Sequence, residues 1–251
     1  MLTSIKKLGI FWGVGLAMFV LHLYENAYCF DPSTRLYTGG ATAIMLGALA
    51  AAALLLSLFF SLRGSKKRPP FSRHFATPER STIALVITAL MFVLGGAVLG
   101  KDALSETLRV APMVTAALAF FSGVFLLSLT RQMRRNEAYS LTPTLPLMFF
   151  GAFWVLTLYL PAASDPVFER YWLSVLAAAV NAYAFAQLAG FFRRETKVRT
   201  FRFVAGYAVM LSVAACAELN VHSILFAACA LLLSIFLALE GKAVNTAQTE
   251  Q

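Results

Sequence analysis

Two histidine–glutamate pairs are the residues of this sequence best suited to chemistry. His22 and Glu25 are three residues apart and Glu218 and His222 are four apart, so each pair shares one face of a helix. Neighbouring imidazole and carboxylate groups can bind a divalent metal, relay protons, or hold a cationic or polar ligand. The alternative interpretation is that the four residues are helix caps and solvated loop residues, because such spacings also arise by chance.

Two amides lie inside an apolar stretch, away from its ends. Asn181 and Gln187 would each be costly against lipid, so we expect both to point toward other helices. An interhelical hydrogen bond is the favoured interpretation, and a ligand-lining role is the alternative. The candidate ligand or ion residues are therefore His22, Glu25, Glu218, His222, Asn181 and Gln187.

Several familiar catalytic motifs are absent from the sequence. It has no glycine-rich phosphate loop, no H-E-x-x-H, no G-x-S-x-G and no C-x-x-C. The three cysteines, Cys29, Cys216 and Cys229, are too widely spaced to predict a disulfide framework or a metal motif. The sequence therefore predicts no nucleotide hydrolysis by this chain and leaves any cofactor or metal unknown.

The composition predicts that the elements carrying these residues lie in a membrane. Hydrophobic residues make up 59% of the 251-residue chain and charged residues only 13%, about half the usual share of a soluble domain. Such a chain has too little polar surface to coat a water-soluble fold. We expect an all-α, polytopic helical bundle with the lipid bilayer as its surroundings.

Apolar runs of membrane length predict about eight transmembrane helices. Six are separate, and two more share a longer run; the segments are 8–24, 40–62, 82–100, 110–130, 145–160, 171–192 and the shared run 203–239. The fifth segment is expected to stop before Pro161. Lys6 and Lys7 precede the first segment, which lacks a cleavage site and is interpreted as an uncleaved span.

The shared run 203–239 must be divided. One straight helix of this length would span about 55 Å, whereas the hydrocarbon core is about 30 Å thick. Two helices joined at the polar sequence 218–222 fit better, with Asn220 as the turn residue. A single tilted or bent helix, giving seven spans, is the alternative.

The basic residues predict the orientation. With eight spans and both termini in the cytoplasm, every predicted inner loop between two spans carries more basic residues than any outer loop. Only four of the 21 Lys and Arg residues then face outward: Arg35, Lys101, Arg109 and Arg170. Seven acidic residues fall on that outer side: Glu25, Asp31, Asp102, Glu106, Asp165, Glu169 and Glu218. The outer end would therefore favour a cation.

Small residues at four-residue spacing predict where helices pack closely. The longest stripe is in the sixth span, which we expect at the centre of the bundle; it consists of Ala178, Ala182, Ala186 and Gly190. Shorter stripes predict further packing faces at Gly9–Gly13, Ala43–Gly47 and Gly96–Gly100. We expect one domain over 1–240 and a short polar tail over 241–251.

The basic inner segments 63–80 and 193–202 are the candidate docking sites for a protein partner. Solvated topology determinants attracted to anionic lipid are the alternative. Nucleic acid is not an expected partner, because the basic residues follow the ends of apolar runs and do not line one soluble face. The sequence leaves the oligomeric state unknown.

These observations leave three functional hypotheses for a multi-pass protein of the cytoplasmic membrane. The first is a non-enzymatic transport or substrate-binding component that has an outward-facing polar pocket and depends on partners for energy. The second is an intramembrane enzyme that uses the His/Glu cluster at the outer end. The third is a scaffold or sensory module that docks partners through its basic loops.

Overall fold

The structure, a computed structural model, consists of eight long helices. It describes residues 2–30, 37–62, 71, 75, 79–105, 110–135, 141–164 and 171–249. The helices are α1 Leu2–Tyr28, α2 Gly40–Leu62, α3 Glu79–Ser105, α4 Val110–Arg135, α5 Leu145–Ser164, α6 Trp172–Gly190, α7 Val198–Ala215 and α8 His222–Thr249. Within these ranges the only β-type pairing is an isolated antiparallel bridge between Phe30 and Tyr37.

All eight helices are long and apolar enough to cross a membrane. The predicted all-α polytopic bundle is therefore confirmed, and the chain is an integral membrane protein of the multi-pass type. Because the helices alternate in direction, one end of the bundle holds the turn between α7 and α8, and the other holds the starts of α1 and α7. We call these the Glu218 end and the Arg202 end.

The division of the run 203–239 into two helices is also confirmed. A 3-10 turn, Cys216–Glu218, follows α7, and Leu219 then adopts a left-handed backbone with φ 50°. Asn220 does not occupy the left-handed position itself. Its side-chain Oδ1 instead accepts a 3.0 Å hydrogen bond from the His222 backbone N–H, and so it caps the start of α8.

The central helix is α7, not α6 as the small-residue stripe predicted. Every α7 side chain from Val204 to Ala215 is buried, and the helix packs against α1, α2, α6 and α8. By contrast, Tyr183 on α6 is half exposed. Gly15 allows α1 to cross α7 closely, because a Cβ there would lie 2.9 Å from the Val213 Cβ.

The backbones of helices α3 and α4 approach each other closely at two glycines. A Cβ on Gly123 of α4 would lie 2.5 Å from the Ala89 carbonyl oxygen, and one on Gly96 of α3 would lie 2.7 Å from the Phe120 nitrogen. The predicted packing face at Gly96 is thus present. Those at Gly9–Gly13 and Gly47 are not, since a Cβ at any of these three glycines would meet nothing within 4 Å.

Most predicted boundaries differ from the observed ones by a few residues, and two of the differences concern positions where an end was specifically expected. Helix α5 continues through Pro161 to Ser164, because a proline in the final turn removes only one terminal backbone bond. Helix α8 continues through the polar tail to Thr249.

Part of the basic segment 63–80 is anchored inside the bundle. Phe71 and Phe75 are buried, and Phe71 stacks on Phe192 with ring centroids 4.3 Å apart. Phe75 makes edge contacts with Phe201 and Phe236. We call this set of rings the aromatic cluster of the Arg202 end. Most of the segment, including its basic residues before Glu79, lies outside the described residues, and docking of a partner there stays a prediction.

The second predicted docking segment, 193–202, is a turn followed by the start of α7, where Val198 and Phe201 are buried.

Candidate functional site

A cleft of about 460 Å³ opens at the Glu218 end. We call it the Glu218 cleft. It is formed by the last turns of α3 and α5, the start of α4 and the turn into α8, and its lining residues are Leu99, Asp102, Ala103, Pro112, Thr157, Leu158, Pro161, Tyr171, Glu218, Asn220, Val221 and His222. A volume of this size suits a small organic ligand.

The Glu218 carboxylate is fixed by two hydrogen bonds from different parts of the chain. The Ser174 hydroxyl on α6 donates to Oε1. The Asn220 side-chain amide donates to Oε2 over 2.8 Å. The two bonds hold the carboxyl group of Glu218 in one orientation at the wall of the cleft.

His222 is oriented by a tryptophan. The indole Nε1–H of the buried Trp154 donates to His222 Nδ1 over 3.2 Å. This bond requires an unprotonated Nδ1, so the proton of the neutral ring lies on Nε2. His222 can therefore act as a hydrogen-bond donor toward a ligand.

Asp102 brings a second carboxylate to the cleft from α3. It lies in the last turns of that helix and is half-buried. The described lining contains no Lys or Arg, so Asp102 and Glu218 are its charged groups. Beside them, Thr157 contributes a hydroxyl that lies 2.6 Å from the Thr115 hydroxyl on α4. The cleft thus combines two anions with a few neutral polar groups.

The other predicted pair lies elsewhere at the same end of the bundle. His22 and Glu25 are 1% and 2% exposed, and His22 Nδ1 lies 3.0 Å from Glu25 Oε2. The Tyr37 hydroxyl donates to Glu25 Oε1 over 2.6 Å, and the Thr42 hydroxyl lies 2.9 Å from the same phenol oxygen. Glu25 therefore pairs with His22 and Tyr37, inside the protein.

The two histidine–glutamate pairs do not line a common cavity. Helix α1 packs against the Cys216–Glu218 turn, but the described lining of the cleft contains no α1 residue. The link between the two regions is the Asn26 side-chain amide, which donates to the Ala217 carbonyl oxygen over 3.5 Å. Among the described residues, no group of three or more His, Cys, Asp or Glu side chains could hold a metal ion.

Neither predicted amide lines the cleft. Asn181 is fully buried and donates to the Ala177 carbonyl oxygen and to the Ser212 hydroxyl on α7, at 2.8 and 2.7 Å. It thus makes the interhelical bond that its position favoured. Gln187 is half-buried near the Arg202 end, where its backbone carbonyl accepts a bond from Thr196.

Three contributors to the two regions had no distinguishing signal in the sequence. Asp102 resembles an ordinary residue of a helix end, Trp154 an ordinary core aromatic, and Tyr37 an interfacial tyrosine. Their roles arise from contacts between helices far apart in the chain. The sequence placed Asp102 at the outer end together with six other acidic residues, but it did not indicate the position of Asp102 around the bundle.

Tyr37 makes the buried pair sensitive to high pH. Burial, together with the neighbouring Glu25 carboxylate, raises the pKa of Tyr37 to about 12. Because the pKa of a free tyrosine is about 10, the stabilising phenol–carboxylate bond persists below pH 10 and is lost as the pH rises toward 12. We expect Tyr37→Phe to lower the free energy of unfolding by about 1.5 kcal/mol at pH 8. Denaturant titrations should show that this difference shrinks between pH 10 and 12; a constant difference would contradict the assignment.

Comparison with known proteins assigns no family to the chain. No protein-family model, curated protein or solved structure matches it. Its function must therefore be inferred from the geometry of the two regions.

Proposed function

We propose that this protein is a non-enzymatic membrane component that binds, and helps to transport, a small organic cation. The observation that carries the proposal is the Glu218 cleft, in which Asp102 and Glu218 supply two negative charges from separate helices. Two carboxylates in one cleft repel each other, so a positively charged ligand that contacts both would be attracted to them.

The neutral groups of the cleft further restrict the kind of ligand that would fit. Tyr171 offers an aromatic ring, and such rings attract ammonium groups. The His222 tautomer fixed by Trp154 offers an N–H donor. A primary or quaternary amine with an aromatic or apolar body and one hydrogen-bond acceptor fits this combination best.

Transport against a gradient needs an energy source, which we assign to a partner or to an ion gradient. The sequence contains no phosphate-binding loop. A catalytic role for the two histidine–glutamate pairs acting together has less support, because His22 and Glu25 are not among the described lining residues of the Glu218 cleft.

The test is a binding assay on the purified full-length protein in detergent. Isothermal titration calorimetry with methylammonium, choline, putrescine and tyramine covers small, quaternary, divalent and aromatic amines. We expect saturable binding of at least one of the four, and no binding of acetate or glucose. Binding of none of the amines would contradict the proposal.

The sidedness of the cleft is a separate prediction. If the Glu218 end faces outward, Asn220→Cys in a cysteine-free background should react with a membrane-impermeant maleimide on intact cells. Glu195→Cys, at an exposed position of the opposite end, should react only after permeabilisation. The reverse pattern would show that the basic residues do not set the orientation as expected.

A further inference from the structure

Helix α1 carries two buried polar atoms that have no hydrogen-bond partner among the described residues. They are His22 Nε2 and Asn26 Oδ1. The residues are four apart, and therefore one helical turn apart on the same face of α1. His22 is 1% exposed. Because unpaired buried polar atoms destabilise a fold, two of them one helical turn apart on one face indicate a site that something occupies.

The hydrogen bonds of Glu25 identify what His22 Nε2 can bind. Glu25 Oε1 accepts a hydrogen bond from the Tyr37 hydroxyl, and Glu25 Oε2 lies 3.0 Å from His22 Nδ1. A carboxylate that already accepts one bond is best satisfied by a second donor, so Nδ1 carries a proton. Nε2 is then the ring atom at which a proton is gained or lost. A proton on Nε2 creates a donor beside the Asn26 Oδ1 acceptor, which pairs both atoms directly or through one water.

The same asparagine contacts the turn that carries the cleft carboxylate. Asn26 Nδ2 donates to the Ala217 carbonyl oxygen, and Ala217 directly precedes Glu218. When Nε2 is protonated, the Asn26 side chain can accept a hydrogen bond from Nε2–H at Oδ1 and still donate from Nδ2 to the Ala217 carbonyl oxygen. When Nε2 is bare, the amide would have to rotate and offer Nδ2 to the nitrogen, which removes the bond to Ala217.

We propose that His22 Nε2 and Asn26 form a proton site that is linked to cation binding in the Glu218 cleft. This inference rests on the function proposed above. When a cation binds, the N–H bond of the His22 imidazolium breaks, its electron pair stays on Nε2, and water accepts the proton. Two positive charges near one turn disfavour each other, and the Asn26 amide transmits the change to Ala217.

Other titratable groups surround this proton site. Those on the elements that pack against it are Glu25 and Cys29 on α1, Tyr37 before α2, Cys216 and Glu218 on the turn, and His222 at the start of α8. Glu25 and Tyr37 are hydrogen-bonded to each other, and Glu218 is bonded to Ser174 and Asn220. Among these groups, His22 Nε2 is the atom whose protonation would also give the Asn26 Oδ1 acceptor a donor.

Calorimetry in two buffers with different ionisation enthalpies measures the protons released per bound cation. For the best-binding amine of the four, we expect the wild type to release a proton fraction that differs from zero, and its affinity to rise with pH by the factor that this fraction sets. Asn26→Leu should still bind the amine but show buffer-independent heats. The matched control is Asn181→Leu, which removes another buried asparagine from an interhelical contact and should keep the proton release.

Two results would overturn the linkage without touching the proposed function. One is cation binding by the wild type with buffer-independent heats. The other is equal proton release by the wild type and a folded Asn26→Leu variant. Absence of binding by any amine would instead refute the proposed function itself.

A measurement on the wild type does not depend on the folding of any variant. The chain has only three histidines, so the 15N spectrum of histidine-labelled protein is simple. We expect saturating amine to move the His22 Nε2 signal toward that of an unprotonated nitrogen, with assignment from His74→Gln and His22→Gln. A His22 signal unchanged by an amine that binds would overturn the proposal.

Discussion

Asp102→Asn and Glu218→Gln are each expected to weaken amine binding roughly ten- to hundredfold, and the double variant is expected to abolish it. Each substitution removes one of the two negative charges of the Glu218 cleft. A hydrogen bond to a charged group contributes about 1.5–3 kcal/mol, which corresponds to this range of affinities. Titration calorimetry with the best amine measures the effect directly.

The control for this prediction is Glu195→Gln. It makes the same chemical change at an exposed position of the Arg202 end, so it alters the total charge but not the cleft. Its amine affinity should stay within about twofold of the wild type. If Glu195→Gln weakened binding as much as Glu218→Gln, the effect would come from overall charge, and the cleft would not be the binding site.

Gly123→Ala is expected to cause the largest loss of stability among single substitutions of glycine. The added Cβ would lie 2.5 Å from the Ala89 carbonyl oxygen and 2.9 Å from the Val93 nitrogen. Neither backbone atom can move without separating α3 from α4. We expect the free energy of unfolding to fall by about 3 kcal/mol, the upper end for overpacking in a core.

Gly47→Ala provides the matched control, because a Cβ at Gly47 of α2 meets nothing within 4 Å. Alanine favours helix over glycine by about 0.8–1 kcal/mol, so this variant should be neutral or slightly more stable. Unfolding in mixed micelles with increasing denaturing detergent compares the two variants. Equal stabilities would show that α3 and α4 do not approach each other at Gly123.

The number and extent of the helices could be predicted from the sequence because both depend on local composition. A run of apolar residues predicts the position of a transmembrane helix. The polar sequence 218–222, inside the run 203–239 that is too long for one helix, predicts the position of the last turn. The His22–Glu25 contact was predictable for the same reason, since helical spacing alone brings residues three apart together.

The arrangement of the helices around the bundle could not be predicted in this way. Membrane depth follows from the distance along a span, but the angular position depends on contacts between distant segments. The sequence could therefore place Asp102, Glu25 and Glu218 at one end without showing that Asp102 joins Glu218 while Glu25 faces Tyr37. The central position of α7 was missed because small residues permit close packing without specifying which helix is surrounded.

The aromatic cluster of the Arg202 end has a consequence for how the chain between α2 and α3 is held. Phe71 and Phe75 fill the space between the end of α6 and the ends of α7 and α8 nearest to them. These contacts hold the chain between α2 and α3 against the ends of α6, α7 and α8 at two points, so a substitution of either phenylalanine would act on the packing of three helices at once.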